Sequence, residues 1–172
     1  MTYSKNPQDK LAEELKNGIW IRIDRVNHIL EDFGVGDFVE NMPVLFALYY
    51  YASLHILHVA EDPIGLALQQ SYRSSVADLD DDCLIEEEEA AEMIDEFHDA
   101  YQSMVEVVEE VVVPEGKDKK TLEGDTMAVL LVEAERLMGF YDESITFELA
   151  AHLEEFVLYY RTGGPSWKYP LS

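Results

Sequence analysis

The sequence predicts an all-α fold, a single-domain bundle of five to six helices around a central apolar helix, over residues 1–172. Three observations predict it. Six segments place apolar residues three or four apart, and none alternates over the length of a strand. Nearly half of the residues are hydrophobic, enough for a sizeable core in a chain of 172 residues. A stretch of twenty residues, Asn41 to Ala60, carries no formal charge and sits between amphipathic segments.

Taken in order, the first helix spans 7–33. Leu11, Leu15, Ile19, Ile23, Val26, Leu30 and Phe33 form its stripe, and Gly34 and Gly36 end it. Gly18 inside it is a weak point of about 1 kcal/mol relative to Ala. The second helix is expected at 37–60, with Asp37 as its cap. Its uncharged run has the length of a membrane span. It also contains His55, His58, Ser53 and Pro43, and its flanks Glu40, Glu61 and Asp62 offer no basic anchor, so a buried central helix is favoured. Asp62 and Pro63 read as cap and first residue of a third helix, 63–79, with Ile64, Leu68, Tyr72, Val76 and Leu79 as its stripe. The fourth helix is expected at 84–112, the fifth at 125–140 after the basic turn Pro114–Lys120, and the sixth at 144–161. Trp167 and Tyr169 in the tail are expected to dock on the bundle.

The formal charge of −24 is unevenly spread. Residues 26–116 hold 22 acidic residues against the single base Arg73. Such a field repels nucleic acid and anionic membranes and attracts basic proteins. The single Cys83 rules out a disulfide within the chain and fits a reducing, cytoplasmic setting. No apolar run follows the basic residues of the N-terminus, so no secretory signal is expected.

The acids concentrate on the fourth helix. Ala90, Phe97, Met104 and Val111, Met93, Ala100 and Val107, and Ile94, Tyr101 and Val108 each repeat at seven, which makes one broad apolar face. Glu92, Asp95, Glu96, Asp99, Glu106, Glu109 and Glu110 take the other side. A solvated face is the simplest explanation, but such a face ordinarily mixes Lys with Glu one turn apart, and no base occurs from Leu84 to Val113. The pairs Glu92/Glu96, Asp95/Asp99 and Glu106/Glu110 each cost about 0.2–0.5 kcal/mol by repulsion. Carboxylates about 5–6 Å apart along the helix come near the spacing of nucleic-acid phosphates. The sequence therefore points to a non-enzymatic binding protein that masks a basic surface of a nucleic-acid-binding protein or nuclease, of inhibitor, immunity or nucleic-acid-mimic type. Its expected contact residues are Glu86, Glu87, Glu88, Glu89, Glu92, Asp95, Glu96, Asp99, Glu106 and Glu110. Salt adaptation competes, but it would spread acid evenly along the chain.

The alternative is an α-helical metal-dependent enzyme or metal-binding protein using Asp/Glu and His on facing helices, with His55, His58, Glu61 and His152 as ligands. The paired Glu-x-x-His pattern of di-iron bundles is missing, however, and so are phosphate-binding Gly loops, G-x-S-x-G, Cys-x-x-Cys and H-E-x-x-H. No metal or other cofactor is expected on the favoured reading. Arg22 and Arg25 with His28 could in principle serve phosphate chemistry, but their spacing separates them, and pairing of the arginines with carboxylates of the acidic half is expected instead. Because the second helix lacks a polar face, a homodimer is expected, with Met42, Leu45, Tyr49 and Leu57 at the contact.

Overall fold

The computed structural model describes residues 7–161, so Trp167 and Tyr169 lie outside the described residues. Six α-helices and two π-helical turns make up the bundle, and no strand occurs among the described residues. α1 is Pro7–Asp32, α2 Phe38–Tyr51, α3 Leu66–Asp81, α4 Glu87–Val111, α5 Lys119–Met138 and α6 Glu143–Arg161.

α2 is the central element. It packs against α1, α4 and α5, while α3 rests on α4 and α6 on α1 and α5. Its residues from Asn41 to Tyr51 are all buried, which is why this segment needs no polar face. Phe46 lies at the middle of the core, with ring centres 5.1 Å from Trp20, 5.0 Å from Tyr72 and 5.5 Å from Phe97. Tyr49 meets Phe156 edge-on at 5.0 Å. The tyrosine hydroxyls in this core find partners. Tyr72 donates to the Met93 carbonyl at 2.7 Å, and Tyr50 accepts from the Gln69 amide at 2.7 Å.

Several boundaries differ from the sequence expectation. The second helix does not run to Ala60. It passes into a π turn at Ala52–Ile56 and stops, with His58 in left-handed backbone at φ 57°. The Leu57 amide reaches the Ala52 carbonyl and the Val59 amide the Ser53 carbonyl, so the end is closed without glycine. Asp62 does not cap the third helix: Glu61–Gly65 form a second π turn, and the α-helix begins at Leu66. α4 starts at Glu87, not Leu84, leaving Ile85 buried ahead of it. α5 starts six residues before the expected 125, at Lys119, because Asp118 caps it by accepting from the Thr121 amide at 2.8 Å. Gly34 and Gly139 close α1 and α5 in left-handed backbone.

Met42, Leu45 and Tyr49, expected at a contact between copies, are buried inside this chain, at no more than 1% exposure. Neighbouring helices cover α2 from Asn41 to Tyr51, whereas Leu57, the fourth residue expected at that contact, is half-buried just beyond the first π turn. No helix among the described residues is long and apolar enough to cross a membrane. Arg22 pairs with Glu155 of α6 at 2.8 Å, not with a carboxylate of the acidic half as expected, and it is nearly buried there.

Candidate functional site: an acidic groove between α2 and α4

Two helix starts meet at one end of the bundle. Asp37 caps α2 by accepting from the Glu40 amide at 2.8 Å, which holds the Asp37 carboxylate at the head of that helix, with Glu40 in its first turn. Asn41 is buried behind them and donates to the Val35 carbonyl at 3.1 Å, anchoring the incoming loop. α4 begins beside this point, with Glu86 extended at φ −90°, ψ 159° and Glu87, Glu88 and Glu89 in its first turn. The apolar face of α4, with Met93, Phe97, Ala100 and Met104 buried, sets its rotation and so aims the acids outward.

Between the two elements lies a groove of about 590 Å³. Asp37, Glu40, Glu86, Glu88, Glu89, Glu92 and Glu96 line it, with Val39, Leu84 and Met93 as its apolar part. No lysine or arginine is among the lining residues. Loss of hydration, followed by repulsion from Glu92, Glu89 and Asp99, raises the Glu96 pKa above the ordinary carboxylate value. The acids are thus close enough to feel one another, and the groove is a concentrated negative potential.

Of the residues expected from sequence, Glu86, Glu88, Glu89, Glu92 and Glu96 come together here. Glu87, Asp95 and Asp99 are exposed on the same helix beyond the groove lining, and Glu106 and Glu110 are exposed near its far end. Gln102 donates to Glu106 at 3.1 Å. The second wall, Asp37 and Glu40, was not expected. Its signal in the sequence is the aspartate cap with an acid three residues on, which reads as a helix start and says nothing of its neighbour. Comparison with family models, curated proteins and solved structures finds no match. Geometry and electrostatics therefore carry the functional reading.

The alternative ligand set is dispersed. Among the described residues no three His, Cys, Asp or Glu side chains stand together as metal ligands. His55 is held by the Tyr101 hydroxyl at 2.8 Å and lies against the Tyr51 ring at 4.3 Å. Loss of hydration there, with help from His58, lowers its pKa, while burial pushes Tyr101 up to about 12. His58 is exposed and lines a separate cavity near the end of α6. Glu61 is exposed at the start of the second π turn. His152 lies on α6, where burial and then the charge of Arg22 hold its pKa down, and its Nδ1 has no hydrogen-bond partner. His28 is exposed on α1, at hydrogen-bond distance from its own helix, 2.8 Å from the Asp24 carbonyl.

Proposed function

We propose that the protein is a binding protein that uses the α2–α4 groove and the outer face of α4 to mask a basic surface of another protein. The observation that carries this reading is the groove of seven carboxylates from two separate elements with no cation among its lining residues. Charge of one sign in a concave site focuses the field and speeds the arrival of an oppositely charged partner. The exposed acids Glu92, Asp95, Glu96, Asp99, Glu106 and Glu110 continue the potential along a helix of 25 residues, about 37 Å. Their one-turn spacing supports a nucleic-acid-binding protein or nuclease as the partner, because such a surface already accepts a row of phosphates. The exposed, unpaired Cys83 fits action in the cytoplasm.

The test compares two variants of equal net charge. One changes Glu89, Glu92 and Glu96 to Gln; the other changes Glu31, Glu148 and Glu154, exposed elsewhere, to Gln. Binding of a decalysine peptide is titrated by calorimetry at low salt. The groove variant should lose at least about tenfold more affinity than the distal one, as expected when charge-assisted hydrogen bonds are removed. Equal losses would mean that the peptide follows bulk charge, and the reading would fail.

A further inference from the structure

A second concave site lies at the opposite end of α2, whose 14 residues span about 21 Å, from the acidic groove. It is a cavity of about 270 Å³ between the head of α1, the exit of the first π turn, the start of α5 and the end of α6. Leu11, Leu15, Ile56, Leu57 and Val59 supply an aliphatic floor, with Lys119, Arg161, His58 and Tyr160 around it. The chain departs from regular geometry to form this place. α2 changes to π-helical winding at Ala52, and His58 takes left-handed backbone that favours glycine. Had the segment continued as an α-helix to Ala60, these residues would not turn away here. Irregularities of this kind gather at ligand sites.

The polar groups around the cavity are not equivalent. Arg161 is already engaged: its two terminal nitrogens donate to the two carboxylate oxygens of Glu123 at 2.6 and 2.8 Å, and Nη2 also reaches the Ile56 carbonyl at 3.4 Å. The Tyr160 hydroxyl is spent on the Glu14 carbonyl at 2.7 Å. Lys119 makes no ion pair with a described residue. His58 is exposed and brings a ring N–H within the lining. Among the described residues the rim therefore offers one positive charge outside any ion pair and one further donor above an aliphatic floor.

We propose that this cavity binds a small amphiphilic monocarboxylate, its carboxylate at Lys119 and His58 and its unbranched aliphatic chain over Leu11, Leu15, Leu57 and Val59. One positive charge outside any ion pair with a described residue matches one negative charge, and the floor itself is aliphatic, the Tyr160 ring of the lining being tied to the Glu14 carbonyl. The acidic half of the molecule repels anions at long range, but beyond about 8 Å that repulsion is screened at physiological ionic strength.

The probe is sodium octanoate, titrated against the full chain and followed by two-dimensional NMR of the backbone amides. Saturable shifts are expected at residues 56–59 and 119. Octan-1-ol, which keeps the chain and loses the charge, and acetate, which keeps the charge and loses the chain, should each bind at least about tenfold more weakly. Lys119→Gln, at an exposed first helical position, should weaken octanoate by about tenfold or more. Val59→Phe, which fills the floor, should do the same, and the melting temperature of each variant shows whether it is folded. Shifts scattered over the surface, octan-1-ol binding as well as octanoate, or unchanged affinity in a folded Lys119→Gln protein would each overturn the proposal.

Discussion

Gly18 shows how a single residue can be misread from sequence. In isolation it is a weak point in a long helix, and Gly18→Ala should gain about 1 kcal/mol. In the fold, α6 crosses there, and a methyl group on residue 18 would overlap the Tyr160 hydroxyl that bonds the Glu14 carbonyl. We expect Gly18→Ala to destabilise by about 1–2 kcal/mol through loss of that hydrogen bond and overpacking. A lower melting temperature would show it, by roughly 2–8 °C at this chain length. Cys83 is the converse case. It closes α3 in left-handed backbone at φ 61°, with its own amide on the Asp80 carbonyl and the Leu84 amide on the Leu79 carbonyl, an arrangement glycine adopts without strain. Cys83→Gly should therefore stabilise, by about 0.5–1 kcal/mol in urea unfolding. Glu135 is a carboxylate only 1% exposed, which accepts from the Thr146 hydroxyl while its other oxygen has no partner. Burial, partly opposed by that hydrogen bond, raises its pKa above the ordinary value of 4.5. A raised folded pKa means that its contribution to stability is fully present below the unfolded value and is lost as pH rises through the folded one. Glu135→Gln should then be more stable than the wild type at pH 7, with the advantage shrinking toward pH 4. An advantage that did not change with pH would contradict the assignment.

At the scale of elements, what could be read in advance followed the local signal. The apolar stripe of α1 from Leu11 to Leu30 with its glycine stop, and the two faces of α4, survive in the structure because periodicity and caps are local properties; Phe33, just past α1, and Val111, at the end of α4, are exposed instead, because the helix ends there and no described element covers them. The exit of α2 was not legible, because a polar residue in left-handed backbone ends it and no Gly or Pro marks the place. The start of α5 was not legible either. Lys119 and Lys120 occupy its first turn, where the helix dipole disfavours bases, and the Asp118 cap outweighs them. The acidic groove was half legible: the α4 wall lies in one run of sequence, whereas Asp37 and Glu40 reach it only through the packing of α2 on α4. The structure also divides the acids of α4 into two kinds. Glu87, Glu88 and Glu89 lie in the first turn, where each contributes about 0.3–1 kcal/mol against the helix dipole. Glu92 and Glu96 lie beyond that turn and repel each other one turn apart. Replacing Glu87 and Glu88 by Gln should thus lower the melting temperature slightly, and replacing Glu92 and Glu96 by Gln should raise it slightly. The same direction of change in both variants would remove the distinction between acids that support the helix and acids that burden it.

Over the whole molecule, self-repulsion and core burial oppose each other. A charge of −24 favours expansion, whereas a core running from Leu15 to Val157 through all six helices holds the chain together. The repulsion is long-ranged in dilute salt, where screening acts over about 30 Å, and short-ranged near 1 M, where it acts over about 3 Å. Thermal stability should therefore rise with sodium chloride over that range, starting from a chain already folded at 10 mM. Affinity for a basic partner should move the other way, since the attraction is screened by the same ions, and the loss should fall mainly on the association rate. These opposite slopes separate the binding reading from salt adaptation. An adapted chain would need near-molar salt to fold at all, and its Glu92→Gln/Glu96→Gln variant would fold at lower salt with no partner affinity to lose. Melting curves and stopped-flow association measured across one salt series, on the wild type and that variant, decide between them. Folding at 10 mM together with an association rate that falls with salt, and falls less steeply in the variant, supports recognition through α4. An unfolded chain at 10 mM, or identical slopes in the two proteins, would sink it.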